Sequence, residues 1–296
     1  MSLSRLRRVR TAAMMATPLA LAAALSATPV AASVAASIPR ADPVRPAASG
    51  PSGAKMYGYK TFTGLSVEIP ANGSAWASVY CPQGTRPSGG GGNSDAYTSG
   101  DNVYLVTSLP SMDQGSWHVQ FANTSPTTGS YGWAEARCTN AESYAHEARF
   151  QLVGGGQEKQ MTSWCAPGER LSGVGFRSYD PFLRIADAYP QDGVTVGVRS
   201  VNSTDALTRM SAVAVCGRDN YTVRSGFTTL QPHEANQAGA NCPSGWPPTG
   251  GGVVAGGSST HLQSSEPTAY GWQVSAKNTS SSEATLGAYV ICAVPS

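Results

Sequence analysis

The chain has 296 residues, of which 20 are Lys or Arg, 18 are Asp or Glu and only 13% are charged. From Tyr57 onward there are 13 basic and 17 acidic residues, so the formal +2 of the whole chain comes from its first segment. A mildly acidic body without a basic cluster excludes nucleic acid as a partner and argues against an anionic membrane surface.

The chain opens on a basic cluster, Arg5, Arg7, Arg8 and Arg10. An apolar run follows from Thr11 to about Ala27, and Val30-Ala31-Ala32 sets small residues before Ser33. This pattern predicts a secretory signal over residues 1–32, removed on export. Pro18 and Pro29 interrupt the run and disfavour a membrane anchor, so no span is expected after removal. The Arg7-Arg8 pair is a weak match to a twin-arginine signal. Residues 33–56 are rich in Ala, Pro, Ser and Gly and read as a disordered linker. All six cysteines lie beyond it. An even number of cysteines in an exported chain predicts a disulfide framework and an extracellular location.

The rest of the chain reads as one unit of about 76 residues, three times over. Each copy has a first cysteine with a glycine three residues on: Cys81 and Gly84, Cys165 and Gly168, Cys242 and Gly245. Glycines recur eight and ten residues after each cysteine, at Gly89 and Gly91, Gly173 and Gly175, Gly250 and Gly252. Then come a proline (Pro110, Pro190, Pro267), an asparagine (Asn123, Asn202, Asn278) and a closing cysteine (Cys138, Cys216, Cys292). The units span 57–140, 141–218 and 219–296.

Strands are predicted throughout. Trp117, Val119 and Phe121 alternate with polar neighbours, as do Val194, Val196 and Val198, and Trp272, Val274 and Ala276. In the closing strand, Leu286, Ala288, Val290 and Cys292 share one face, with Thr285, Gly287, Tyr289 and Ile291 on the other. Only Glu142 to Arg149 could form a short helix. Repetition of one element selects cysteine pairing within each unit: Cys81–Cys138, Cys165–Cys216 and Cys242–Cys292. Closing a loop of about 50 residues constrains the unfolded chain by roughly 4 kcal/mol. This matters for a unit that alone buries only about 60% of its unfolded surface. The short, stiff connections between units predict an all-β, pseudo-threefold assembly, either β-prism-like or three small sandwiches in contact.

Chemistry-bearing motifs are few. The glycine runs lack the flanking strand, helix and Lys-Ser/Thr of a phosphate loop, and read as sites of tight turning or close backbone approach. The asparagines begin N-x-Ser/Thr triplets but directly follow strands, where they close turns. His146-Glu147 and His233-Glu234 lack a second histidine four residues on, and no histidine neighbours a cysteine in sequence, so no metal or cofactor is expected. No nucleophile motif occurs. Trp117 and Trp272 are assigned to the core, and Trp76 and Trp164 to packing on the disulfides. Tyr97 and Trp246, in turn-like loops, are the candidate ligand contacts. The middle unit carries Arg170, Arg177, Arg184, Arg199 and Arg209, among which Arg177 and Arg184 are the candidate contacts for a protein partner.

The order Cys-Pro-x-Gly, Gly-Gly-Gly, Ser-x-Pro, Trp-x-Val, Asn and Cys resembles secreted repeat proteins of actinobacteria from Tyr57 to the end. The middle copy departs from it, with Gly173-Val174-Gly175 for the glycine run and Val196 for the tryptophan. The resemblance implies a small β module and no activity. The expected function is a secreted, non-catalytic binding protein for glycans or a cell surface. The alternative is an inhibitor or partner of another exported protein through the arginine-rich middle repeat.

Overall fold

In the computed structural model, which describes residues 58–95 and 102–295, the alternating stretches become strands and no helix forms among the described residues. The expected signal segment and linker, and Tyr97, lie outside the described residues. The first unit holds β1 (Lys60–Thr63), β2 (Val67–Ile69), β3 (Ser74–Tyr80), β4 (Arg86–Ser94), β5 (Val103–Pro110), β6 (Ser116–Asn123) and β7 (Ser130–Thr139). The second holds β8 (Tyr144–Glu147), β9 (Gln151–Val153), β10 (Glu158–Trp164), β11 (Arg170–Ser178), β12 (Leu183–Pro190), β13 (Thr195–Asn202) and β14 (Thr208–Gly217). The third holds β15 (Tyr221–Leu230), β16 (Ala235–Asn241), β17 (Pro248–Ala255), β18 (Thr260–Pro267), β19 (Gly271–Asn278) and β20 (Ala284–Ala293). The stretch with helical character, 142–149, is instead strand β8 on the edge of β14, with Cys216 opposite Tyr144 and Val213 opposite Glu147. So short a segment cannot hold a helix alone, and the β14 edge satisfies its backbone.

Each unit splits into two half-sheets that face one another. In the first, β1, β7 and β4 lie against β3, β6 and β5. Cys81 follows β3 and Cys138 lies in β7, so the bridge ties the two halves together. Cys165–Cys216 and Cys242–Cys292 do the same in the other units. Between the halves lies the apolar face of every strand, with Trp117, Phe121, Leu171, Ile185, Trp272 and Leu286 fully buried.

The sheets themselves are shared between units. Strand β4 of the first unit pairs with β18 of the third, β11 of the second with β5 of the first, and β17 of the third with β12 of the second. Three antiparallel sheets result: β1-β7-β4-β18-β19-β16 (sheet A, with β2 beside β7), β3-β6-β5-β11-β14-β8 (sheet B, with β9 beside β14) and β10-β13-β12-β17-β20-β15 (sheet C). The three pairings close a cycle, which gives the expected all-β assembly of three disulfide-stapled units, with each sheet running from one unit into the next.

The recurrent glycines make that closure possible. A β-bulge at Ser88, Ser172 and Thr249 interrupts the ladders of β4, β11 and β17. The extra residue turns its hydroxyl out of the sheet. Thr249 Oγ1 donates to the Ser172 carbonyl (2.7 Å), Ser172 Oγ reaches the Ser88 carbonyl (3.2 Å), and Ser88 Oγ donates to the Thr249 carbonyl (2.8 Å). This buried ring brings the backbones of Gly89, Gly173 and Gly250 against one another: a Cβ on Gly89 would lie 2.5 Å from Gly250 Cα. Of the two roles open to these glycines, close backbone approach is the one the fold uses.

The asparagines are buried turn formers. Asn278 Nδ2 donates to the Leu230, Gln231 and Ser282 carbonyls, and its Oδ1 accepts from the Ser280 amide. Asn123 and Asn202 repeat the arrangement.

Candidate functional site

The described sequence candidates fall in three separate places. Trp246 is half-buried and packs on the core, its amide donating to the Pro243 carbonyl (3.0 Å). Arg177 lies on the outer face of sheet B. Arg184 sits where β5, β12 and β18 converge near the axis. There the equivalent residues of the three copies are Tyr104, Arg184 and His261. Arg184 Nη1 donates to His261 Nε2 (2.8 Å), and the Tyr104 ring lies 4.2 Å from the His261 ring. Burial, then the charges of Arg184 and Lys277, push the imidazole down to about 3, so it is neutral and accepts. Trp76 and Trp164, expected to pack on disulfides, are instead 49% and 64% exposed. Each sits on the outward side of its strand, and the alternation that buries Ala77 and Ser163 turns them to solvent.

The outer faces of the three sheets differ most at equivalent positions. On sheet A these are Glu135 and Glu266, flanking Gly91. Trp133 Nε1 donates to Glu135 (3.3 Å) and Asn93 Nδ2 to Glu266 (2.8 Å). Burial, then the nearby Glu135 charge, raises Glu266 to about 7. Burial likewise raises Glu135. A carboxyl raised in the fold keeps its proton while its unfolded counterpart loses it. Stability is therefore fully present below the ordinary carboxyl range and falls as pH rises towards 7. Denaturant unfolding at pH 5 and pH 8 is expected to show the parent less stable at pH 8, and Glu266→Gln to lessen that difference; equal slopes for both chains would refute the assignment.

On sheet B the equivalent positions are Val213 and Leu109, and the charge lies beside them. Arg209 stands over the rings of Phe150 (5.1 Å) and Tyr179 (4.8 Å), and Arg177 over Tyr179 (5.4 Å) and 3.5 Å from Glu147. Phe150, Leu152 and Tyr179 are exposed around them.

On sheet C the equivalent positions are Tyr189 and Tyr289, their rings 5.5 Å apart, with Phe227 edge-on to Tyr289 at 5.9 Å. The register puts Gly197 beside Tyr189, Gly252 beside Tyr289, and Gly287 beside Phe227, whose ring rests on it. Trp164 pairs with Thr195 and so shares this face. Four aromatics thus lie across a six-stranded sheet, spanning about 24 Å at roughly 4.8 Å per strand. Phe227 is 57% exposed. A polar row runs alongside: Arg199 donates to Asp187 and, at 3.0 Å, to Glu158. Among these residues, only Tyr289 was already placed on an outward face by its strand's alternation. Trp164 was assigned elsewhere, and Tyr189 and Phe227 carried no signal. No protein-family model matches the chain, and no curated protein matches it.

Proposed function

We propose that this is a secreted, non-catalytic protein that binds an extended glycan along the outer face of sheet C. The carrying observation is the aromatic strip of Trp164, Tyr189, Tyr289 and Phe227. Trp164 and Phe227 are exposed and Tyr189 and Tyr289 half-buried, and aromatic faces left partly in water suit stacking on the apolar faces of sugar rings. Gly287 lets the Phe227 ring lie on the strand beside Tyr289. The exposed Glu158 carboxylate and the partly exposed Arg199 guanidinium beside it supply hydrogen bonds for hydroxyls. The three disulfides fit an oxidising compartment, and the basic, apolar, small-residue start of the chain fits export.

Sedimentation with insoluble cellulose, chitin and peptidoglycan tests this reading. The folded body is expected to be retained on at least one, and Trp164→Ala with Tyr289→Ala to weaken retention about tenfold or more. Both side chains are exposed or half-exposed, so the melting temperature should hold. Unchanged retention in the double variant would overturn the proposal.

A second reading is favoured by sheet B, where Arg177 and Arg209 lie on exposed aromatics. Arginine and tyrosine on an exposed face suit a protein partner. Salt separates the two: an arginine contact weakens as the screening length falls to about 8 Å at physiological ionic strength, whereas stacking on sugar does not.

A further inference from the structure

The sequence separates every histidine from every cysteine, but the fold does not. His146 in β8, Glu169 in the loop after Cys165, and Cys216 in β14 each bring one potential ligand atom to within 4.8 Å of the others. His146 Nε2 lies 2.7 Å from Glu169 Oε2, and the Ala166 amide donates to the same oxygen (3.1 Å). The bridge adds Cys165 Sγ, bonded to Cys216 Sγ. Cys165 and Glu169 also line a cleft of about 470 Å³ beside Trp164, which gives small molecules a route to this corner.

The other two copies lack these groups. Two residues before the closing cysteine, the edge strand opposes Phe62 to Ala136 and Arg224 to Val290, where the middle copy opposes His146 to Ala214. Four residues after the first cysteine stand Thr85 and Trp246 instead of Glu169. None of these four offers the soft or carboxylate donors of a metal site.

A disulfide sulfur is a poor ligand, and the thiolate is the form that binds metal. We propose that opening the Cys165–Cys216 bridge turns this corner of the middle unit into a site for one zinc-class divalent ion. A low-molecular-mass dithiol supplies the two electrons and two protons: its sulfurs join as a disulfide while Cys165 and Cys216 become thiols. Ion binding then releases both thiol protons. The ion takes two thiolates, the neutral His146 imidazole and the Glu169 carboxylate, a four-ligand set of the kind zinc accepts in tetrahedral sites. The Ala166 amide orients the carboxylate from outside. Binding weakens in acid, because the ligands must shed protons.

Cobalt(II) is the probe, since thiolate charge-transfer and tetrahedral d–d absorption report its ligands. Cys165→Ser frees Cys216 while leaving the other two bridges closed, without any reductant. This variant is expected to bind one cobalt ion with a thiolate band that zinc displaces. His146→Ala or Glu169→Gln in the same background should weaken it by more than about tenfold. The oxidised parent should show no band, and the parent opened with a dithiol should show a stronger one than Cys165→Ser. Absence of a band in Cys165→Ser, or a band indifferent to His146→Ala and Glu169→Gln, would overturn the proposal. Loss of the parent's far-ultraviolet dichroism in Cys165→Ser would overturn it equally, because the site requires a fold that survives without this bridge.

Discussion

Alanine at Gly250 is expected to lower the melting temperature by about 10 °C or more, while alanine at Gly239 leaves it nearly unchanged. A Cβ on Gly250 would sit 2.5 Å from the Ser172 carbonyl oxygen and 2.6 Å from Gly173 Cα. Overpacking usually costs about 1–3 kcal/mol, because side chains rotate and absorb part of it. Here the atoms met are main chain, and they belong to the strand that carries the next link of the hydroxyl ring. Moving β11 away breaks the Thr249–Ser172 hydrogen bond and shifts Ser172 from its contact with Ser88. The cost is therefore expected above about 3 kcal/mol, and 1 kcal/mol moves the melting point of a body this size by roughly 2–4 °C. Gly239 also lies in a strand, but its Cβ would meet nothing closer than the Trp272 carbonyl oxygen at 3.8 Å. Thermal unfolding followed by circular dichroism measures both. One transition is expected, since all three units meet at this ring. A Gly250→Ala melting point within a few degrees of the parent would show that the axis is not close-packed.

The repeat landmarks were legible because each marks a local requirement that recurs at one spacing. Each closing cysteine faces inward in its strand, and each asparagine caps its own turn through a carbonyl four or five residues on, while its second link, to a carbonyl about 50 residues back, has no local mark. The three bridges form as the repeat predicts. What stayed hidden depends on which strand lies beside which. Alternation put Tyr289 on an outward face but could not say that β12 of the preceding unit would bring Tyr189 to it. That neighbour is set by the β17–β12 pairing between units, which leaves no periodic trace. Phe227 was silent because its support is Gly287, and a ring lying on a strand glycine breaks the usual alternation of large and small. Trp164 stands next to Cys165 in sequence yet turns to solvent, because residues adjacent in a strand point to opposite faces and Ser163 takes the inner one. His146 and Glu169 illustrate the same limit: they are 23 residues apart, and only the return of β8 to the β14 edge joins them.

The departures of the middle copy predict their own rescue. Trp117 is fully buried with its ring over Gly90, a Cβ on which would lie 2.5 Å from the indole, and its Nε1 donates to Ser108 Oγ (2.9 Å). The third copy repeats this with Trp272, Gly251 and Ser265. The middle copy has Val196, Val174 and Ala188 at the same three places, all buried. Two valines thus fill the space of a tryptophan over a glycine, and with no indole N–H there is no need for a hydroxyl. Trp117→Val alone removes a buried ring and leaves a void over Gly90 and an unpaired Ser108 hydroxyl. Losses of about 3–5 kcal/mol accompany tryptophan truncation in cores, and an orphaned polar group adds about 1–3 kcal/mol. Gly90→Val alone drives a branched side chain into the indole and should be at least as harmful. Combining Gly90→Val, Ser108→Ala and Trp117→Val refills the void and removes the orphan. The triple variant is therefore expected to recover most of the stability lost by Trp117→Val, with a favourable coupling above about 2 kcal/mol. Urea midpoints at constant slope give the comparison. If the three changes simply add, the valine pair of the middle copy is not a replacement for the tryptophan, and the account of its divergence as compensated repacking fails.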